Sequence, residues 1–160
     1  MKKFVASVLT LTVAMSLSAS AFAAEPVKNV KASSKAASVS DSYEPNDDPA
    51  FASYINSNVS YTSAISHNKD FDYYNFYAKP GEIKFALSKL SSDSKTVDIT
   101  IFTPDMKTLK YVNGKANINF SANLPAEGNY KILIAHYDGA FNPTIPITPI
   151  PYSFKAIFNQ

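Results

Sequence analysis

Two carboxylates one residue apart, Asp70 and Asp72, open the run Lys69-Asp70-Phe71-Asp72-Tyr73-Tyr74-Asn75-Phe76-Tyr77-Ala78. Alternate residues of a strand share a face. Asp72 therefore lies with Tyr74, Phe76 and Ala78, whose types suit a core. An unpaired charge at the edge of an apolar face is costly, so the carboxylate needs a partner. A cation is the partner this chemistry points to. A second cluster stands upstream and can help to hold it: Asp41, Glu44, Asn46, Asp47 and Asp48.

Two carboxylates held ~4 Å apart repel by about 4 kcal/mol at an effective dielectric of about 20. A cation among them turns that repulsion into attraction. Calcium takes about six to eight oxygen ligands and tolerates a mixture of carboxylate, amide and carbonyl donors, whereas magnesium asks for a stricter octahedron and few protein ligands. The spacing is not that of an EF-hand, because Tyr74 follows Asp72 at the next alternate position and the turn glycine is missing. The plain alternative is a pair of solvated acidic loops capped by lysines such as Lys69.

Catalysis finds little support in the chain. The histidines, His67 and His136, belong to no H-E-x-x-H pattern, there is no G-x-S-x-G, and cysteine is absent. Ser66 and His67 lie near Asp70 but lack an oxyanion-hole signal, so they read as loop polarity. His136 shares the parity of Tyr130, Ile132 and Ile134 and reads as a hydrogen-bonded strand-end histidine. The expectation is a protein that is not an enzyme.

The segments that must position these residues follow from the pattern. Residues 1–23 read as an export leader: Lys2 and Lys3 precede an apolar run, and Ala21-Phe22-Ala23 gives a small-x-small cleavage pattern. Residues 24–40, rich in Ala, Ser and Lys without a period, read as a flexible linker. Residues 41–160 suffice for one core. Loss of the leader would leave thirteen lysines against thirteen acidic residues, and the chain has no arginine, so the basic stripe of a nucleic-acid binder is missing. After cleavage no membrane-spanning stretch is expected.

Period-two patterns predict strands over 59–65, 72–78, 82–89, 96–102, 108–112, 115–122, 129–137 and 152–158. Asn113-Gly114 predicts a hairpin between the fifth and sixth of these. The glycines all fall in predicted turns, where positive φ is useful. Residues 48–54 predict a short helical turn. About eight strands of this kind make an antiparallel, jelly-roll-like β-sandwich.

The motifs resemble a known family. Glu44-Pro45-Asn46-Asp47-Asp48, the strand containing Val59-Ser60-Tyr61-Thr62, Asp70-Phe71-Asp72-Tyr73-Tyr74 and Pro80-Gly81-Glu82-Ile83 resemble the bacterial pre-peptidase C-terminal (PPC) domain. The chain is similar in this to the collagen-binding domains of clostridial collagenases. Gly128-Asn129-Tyr130 and Pro151-Tyr152-Ser153-Phe154 resemble the later strands of that family. The resemblance spans about 41–160. It implies calcium near the N-terminal edge of a jelly-roll-like sandwich, held by Glu44, Asn46, Asp47, Asp70 and Asp72. One acidic ligand of that family falls on Ser42 here, with Asp41 beside it as a substitute.

Recognition surfaces complete the reading. Tyr111 and Tyr137 oppose the inward parity of their strands, as Tyr73 and Tyr77 do, and exposed tyrosines are common anchors. With Phe141 they are the ligand-binding candidates. Residues 143–151 hold four prolines, which favours an extended loop or edge. The sequence thus predicts a secreted, extracellular bacterial binding module, stabilised by calcium. Its partner would be an extracellular protein or polysaccharide, collagen-like material among them. The alternative is a folding aid or inhibitor of a co-secreted protease.

Overall fold

The computed structural model describes residues 40–136 and 148–160. They form an all-β sandwich. A 3-10 turn, Pro49–Phe51, leads into β1 (Ser53–Tyr54), followed by β2 (Ser60–Ile65), β3 (Phe71–Ala78), β4 (Gly81–Lys89), β5 (Val97–Phe102), β6 (Thr108–Gly114), β7 (Ile118–Leu124), β8 (Gly128–Ala135) and β9 (Ile150–Ile157). One sheet has the order β1-β3-β8-β5-β6 and the other β2-β9-β4-β7. Apart from the short parallel pairing of β1 with β3, the ladders are antiparallel. The order of β2 to β9 is that of a jelly roll, as the sequence predicts.

Alternation explains the core. In β4 the inward Ile83, Phe85 and Leu87 are buried while Glu82, Lys84, Ala86 and Ser88 are exposed. The same parity buries Tyr74 and Phe76 on β3, Ile99 and Ile101 on β5, Tyr130, Ile132 and Ile134 on β8, and Tyr152, Phe154 and Ala156 on β9. Each such large side chain contributes about 1.5–3 kcal/mol by leaving water. Aromatic rings join the two sheets, with Tyr74 of β3 meeting Phe154 of β9 at 4.6 Å between centroids, and pack within one of them, where Phe85 stacks on Phe154 at 5.6 Å.

Three expectations are corrected. Asn113-Gly114 does not close a hairpin, because β6 pairs with β5 in one sheet and β7 with β4 in the other. The chain crosses the sandwich between them, and a turn dipeptide sets a hairpin only when the next strand returns to the same sheet. Among the described glycines only Gly81, at φ 143°, has positive φ. Pro151 lies inside β9, a central strand, rather than in a loop or edge. It is tolerated there because it stands next to the strand's start, before the pairing with β4 begins at Tyr152. Its carbonyl accepts from Leu90 N at 2.8 Å.

Candidate metal-binding site

The acidic run 70–72 enters β3, and the upstream cluster lies in the segment that precedes β1. Backbone and side-chain bonds join the two. Tyr73 N donates to the Asn46 carbonyl at 3.0 Å, and Phe71 N donates to Asp47 Oδ1 at 2.8 Å. Asn46 is fully buried; its Nδ2 donates to Asp72 Oδ1 at 3.2 Å and its backbone N–H to Glu44 Oε2 at 2.9 Å. The segments that the sequence singled out therefore meet, although they lie far apart in the chain.

The carboxylates of Asp41, Glu44 and Asp70 each bring an oxygen within 4.8 Å of the other two. Glu44 belongs to a second group with Asp47 and His67, again within 4.8 Å, and all three of these side chains are exposed. Asp41 is held in place by Ser63, whose hydroxyl donates to Oδ1 at 2.7 Å. Asp70 Oδ2 accepts from Ser66 N. Its other oxygen, Oδ1, is buried without a hydrogen-bond partner among the described residues, and so is Asn46 Oδ1. Two buried, unpartnered oxygens beside converging carboxylates are the donors a calcium ion uses, and buried polar atoms in folded proteins are otherwise nearly always paired. The residues present fit that ion.

Asp72 is placed differently from Asp70. It is fully buried, and both of its oxygens are occupied: Oδ1 by Asn46 and Oδ2 by the Tyr152 hydroxyl at 2.7 Å. Tyr152 in turn meets the Tyr74 hydroxyl at 2.8 Å. By binding Nδ2, Asp72 turns the Asn46 amide so that the carbonyl oxygen is the end left over. The sequence reading missed Tyr152 and Ser63; it counted Asp41 in the upstream acidic cluster, but only as a substitute in the ligand set that the resemblance implies. The signal for Tyr152 was its core parity, since a buried tyrosine hydroxyl usually finds a partner.

Electrostatics follow from this packing. Burial is the main force that raises the Asp70 carboxyl to about 7; the Asp41 and Asp47 charges add to it, while Ser66 N–H and His67 oppose it. Burial likewise raises Asp72 to about 8, aided by the Asp70 and Asp41 charges and opposed by the Tyr152 and Asn46 hydrogen bonds. With only protein around them, both carboxyls favour the protonated form more than an exposed carboxylate does. A cation would supply the missing positive charge.

Other candidates fall out as follows. His136 is buried, and its Nδ1 lies 2.7 Å from the Thr96 carbonyl oxygen, to which it donates. The Ser66 hydroxyl lies 3.3 Å from Asp41 Oδ2 and 3.3 Å from the Ala64 carbonyl, and His67 Nδ1 accepts from Lys69 N at 3.3 Å. None of these bonds joins serine to imidazole. Tyr111 is exposed as expected; its hydroxyl donates to Asp98 Oδ1 at 2.5 Å and accepts from Asn113 Nδ2 at 3.0 Å. Tyr137 and Phe141 lie outside the described residues, as does most of the proline-rich stretch.

No protein-family model matches the chain, and no curated protein does. Solved structures do. CorA, a surface-associated copper-binding protein of Methylomicrobium album BG8, matches at 9% identity over 67% of this chain and 97% of that one, with a TM-score of 0.56. PliG of Aeromonas hydrophila, a periplasmic inhibitor of g-type lysozyme, matches at 15% identity over 68% and 96%, with a TM-score of 0.50. The pre-peptidase C-terminal domain of a Bacillus anthracis collagenase matches at 17% identity over 66% and 93%, with a TM-score of 0.48. At these identities the likeness is one of fold. Among the described residues no helix is long and apolar enough to cross a membrane.

Proposed function

We propose that this chain is a secreted, non-catalytic binding module of the PPC type, stabilised by calcium, whose ligand is an extracellular protein or a surface polymer. A leader at 1–23 exports it, and a linker at 24–40 carries the domain at 41–160. Asp41, Glu44 and Asp70 hold the ion together with Asn46 Oδ1. Asp47 stands at the exposed side of the cluster, and Asp72 orients Asn46 from within. The observation that carries this reading is the pair of buried, unpartnered oxygens, Asn46 Oδ1 and Asp70 Oδ1, beside those carboxylates. The bound ion would fix the segment before β1 against β3, which a chain without disulfides cannot do covalently.

Ligand contact is assigned to the outer tyrosine Tyr111 and to Tyr137 and Phe141. Retention on insoluble collagen and on cell-wall polysaccharide, with calcium present, tests this. Retention no greater than that of the 24–40 linker alone on both materials would remove the binding-module reading. The alternative, a folding aid or inhibitor of a co-secreted protease, draws support from a fold shared with an enzyme inhibitor. It predicts slowed proteolysis in the presence of the protein and no retention on either polymer.

A further inference from the structure

The outer face of the four-stranded sheet is hollowed over β4. Lys84 and Ala86 are the exposed alternate residues there. The register sets Ile157 of β9 and Ser121 of β7 on either side of Lys84, and Lys155 of β9 and Asn119 of β7 on either side of Ala86. Ala86 ends at Cβ, so the face dips between its longer neighbours. These side chains line a hollow of about 440 Å³. Ligand sites commonly measure about 300–1,000 Å³. A second hollow of about 290 Å³, which reaches Glu82 and Asn159, shares Lys84 and Ile157 with the first. The two adjoin as one open trough across β9 and β4.

The polar groups of this trough are uncommitted. Among the described residues the side chains of Asn119, Ser121 and Lys155 make no hydrogen bond and no ion pair, although Lys155 is half-buried. Lys84 reaches Glu82 at 3.5 Å, but these side chains are 67% and 54% exposed, and such a pair holds its lysine weakly. The outer face of the other sheet differs: there Tyr111 is bonded to Asp98 and Tyr77 to Glu127. Lys84 and Lys155 are diagonal neighbours on paired strands, a spacing of about 7–8 Å. Two ammonium groups against one carboxylate leave the trough positive.

The chemistry of the lining selects its occupant. Two lysines call for repeated negative charge. The Ser121 hydroxyl and the Asn119 amide both donate and accept, as sugar hydroxyls do. Ile157, 45% exposed, offers an apolar contact beside them. The strands beneath, β4 and β9, are paired on both sides, so no main chain is free for a peptide strand to join. We infer that this trough binds an acidic polysaccharide, with carboxylates on Lys84 and Lys155, sugar hydroxyls on Asn119 and Ser121, and a ring's C–H face on Ile157. The inference rests on the surface-polymer reading above only in taking the ligand to be extracellular. The trough and Tyr111 lie on different sheets, so either surface can fail without the other.

The test is titration of the protein, in calcium, with hyaluronate as the uronate polymer, dextran as a neutral polysaccharide and polyglutamate as an acidic peptide. Binding to hyaluronate is expected, weakening as salt is raised, with none to dextran. The double variant Lys84→Gln/Lys155→Gln should bind about tenfold more weakly at an unchanged melting temperature. Lys84→Arg/Lys155→Arg keeps the charge and should keep the binding. Tyr111→Ala, on the other sheet, should bind as the parent does. No binding to hyaluronate overturns the proposal, as does polyglutamate binding equally well. Binding that survives the double glutamine variant, or that is lost in Tyr111→Ala, also overturns it.

Discussion

Asn46 Nδ2 donates to Asp72 Oδ1 at 3.2 Å, which joins the two acidic segments inside the molecule rather than at its surface. That bond places Asp72 behind the proposed cation site and leaves Asn46 Oδ1 over; like Asp70 Oδ1, it is a buried oxygen without a hydrogen-bond partner among the described residues. Removing charge at Asp70 should therefore have opposite effects in the two states of the site. With chelator present, Asp70→Asn is expected to melt a few degrees higher than the parent, the size of shift that about 1 kcal/mol produces in a domain of this length. With calcium present it should show no stabilisation. Thermal melts of both proteins in both buffers check this. A calcium-dependent rise that survives in Asp70→Asn would remove that residue from the site.

Tyr152 ties β9 to the site through Asp72 and Tyr74. Tyr152→Phe keeps the ring and leaves two buried groups short of a partner. It should cost about 1–3 kcal/mol. The urea midpoint should fall with the slope unchanged, since the surface exposed on unfolding stays the same. A midpoint equal to that of the parent would mean that the hydroxyl network carries no stability.

Much of this was legible in the chain. Period-two alternation located every strand from β2 to β9, because both sheets bury one face and a slip of one residue would expose it. β1 escaped because two residues cannot show a period. The crossing after Asn113-Gly114 escaped because the dipeptide is a local signal, whereas the sheet that β7 joins is decided by the partners waiting on β4. The acidic segments were visible as a pair. The split between Asp70, facing the cluster, and Asp72, bonded inward to Tyr152, was not, because it depends on a strand 80 residues further on.

A second electrostatic feature lies away from the cluster. The Lys89 side chain is 2% exposed and its ammonium bonds Asp93 Oδ1 at 2.8 Å and the Lys95 carbonyl at 2.9 Å. Burial opposes ionisation of Asp93, but this ammonium and the Lys95 N–H outweigh it and hold the carboxyl well below its usual range. A lowered native pKa contributes stability above the unfolded value of about 3.9, and that stability is lost as the pH falls towards the native value. Asp93→Asn should therefore be less stable than the parent at neutral pH, with the gap closing below about pH 4. A gap that stays constant down to acid pH would show that the charge of Asp93 is not responsible.

Gly81 opens β4 at φ 143°, where L side chains are strained, and a Cβ there would stand 2.5 Å from Asn159 Nδ2. Gly81→Ala should lose more than about 1 kcal/mol, because the native backbone conformation is incompatible with alanine. Chemical denaturation measures it, and a neutral or stabilised variant would contradict the strain.

The cation itself is tested most directly by melting the protein in calcium and then in chelator. A ligand bound only by the native state at about a hundredfold excess over its dissociation constant adds about 2.7 kcal/mol, so the midpoint should rise by several degrees with calcium and fall back when it is withdrawn. Coincident midpoints in the two buffers would contradict the site, and with it the reading of this chain as a calcium-stabilised module.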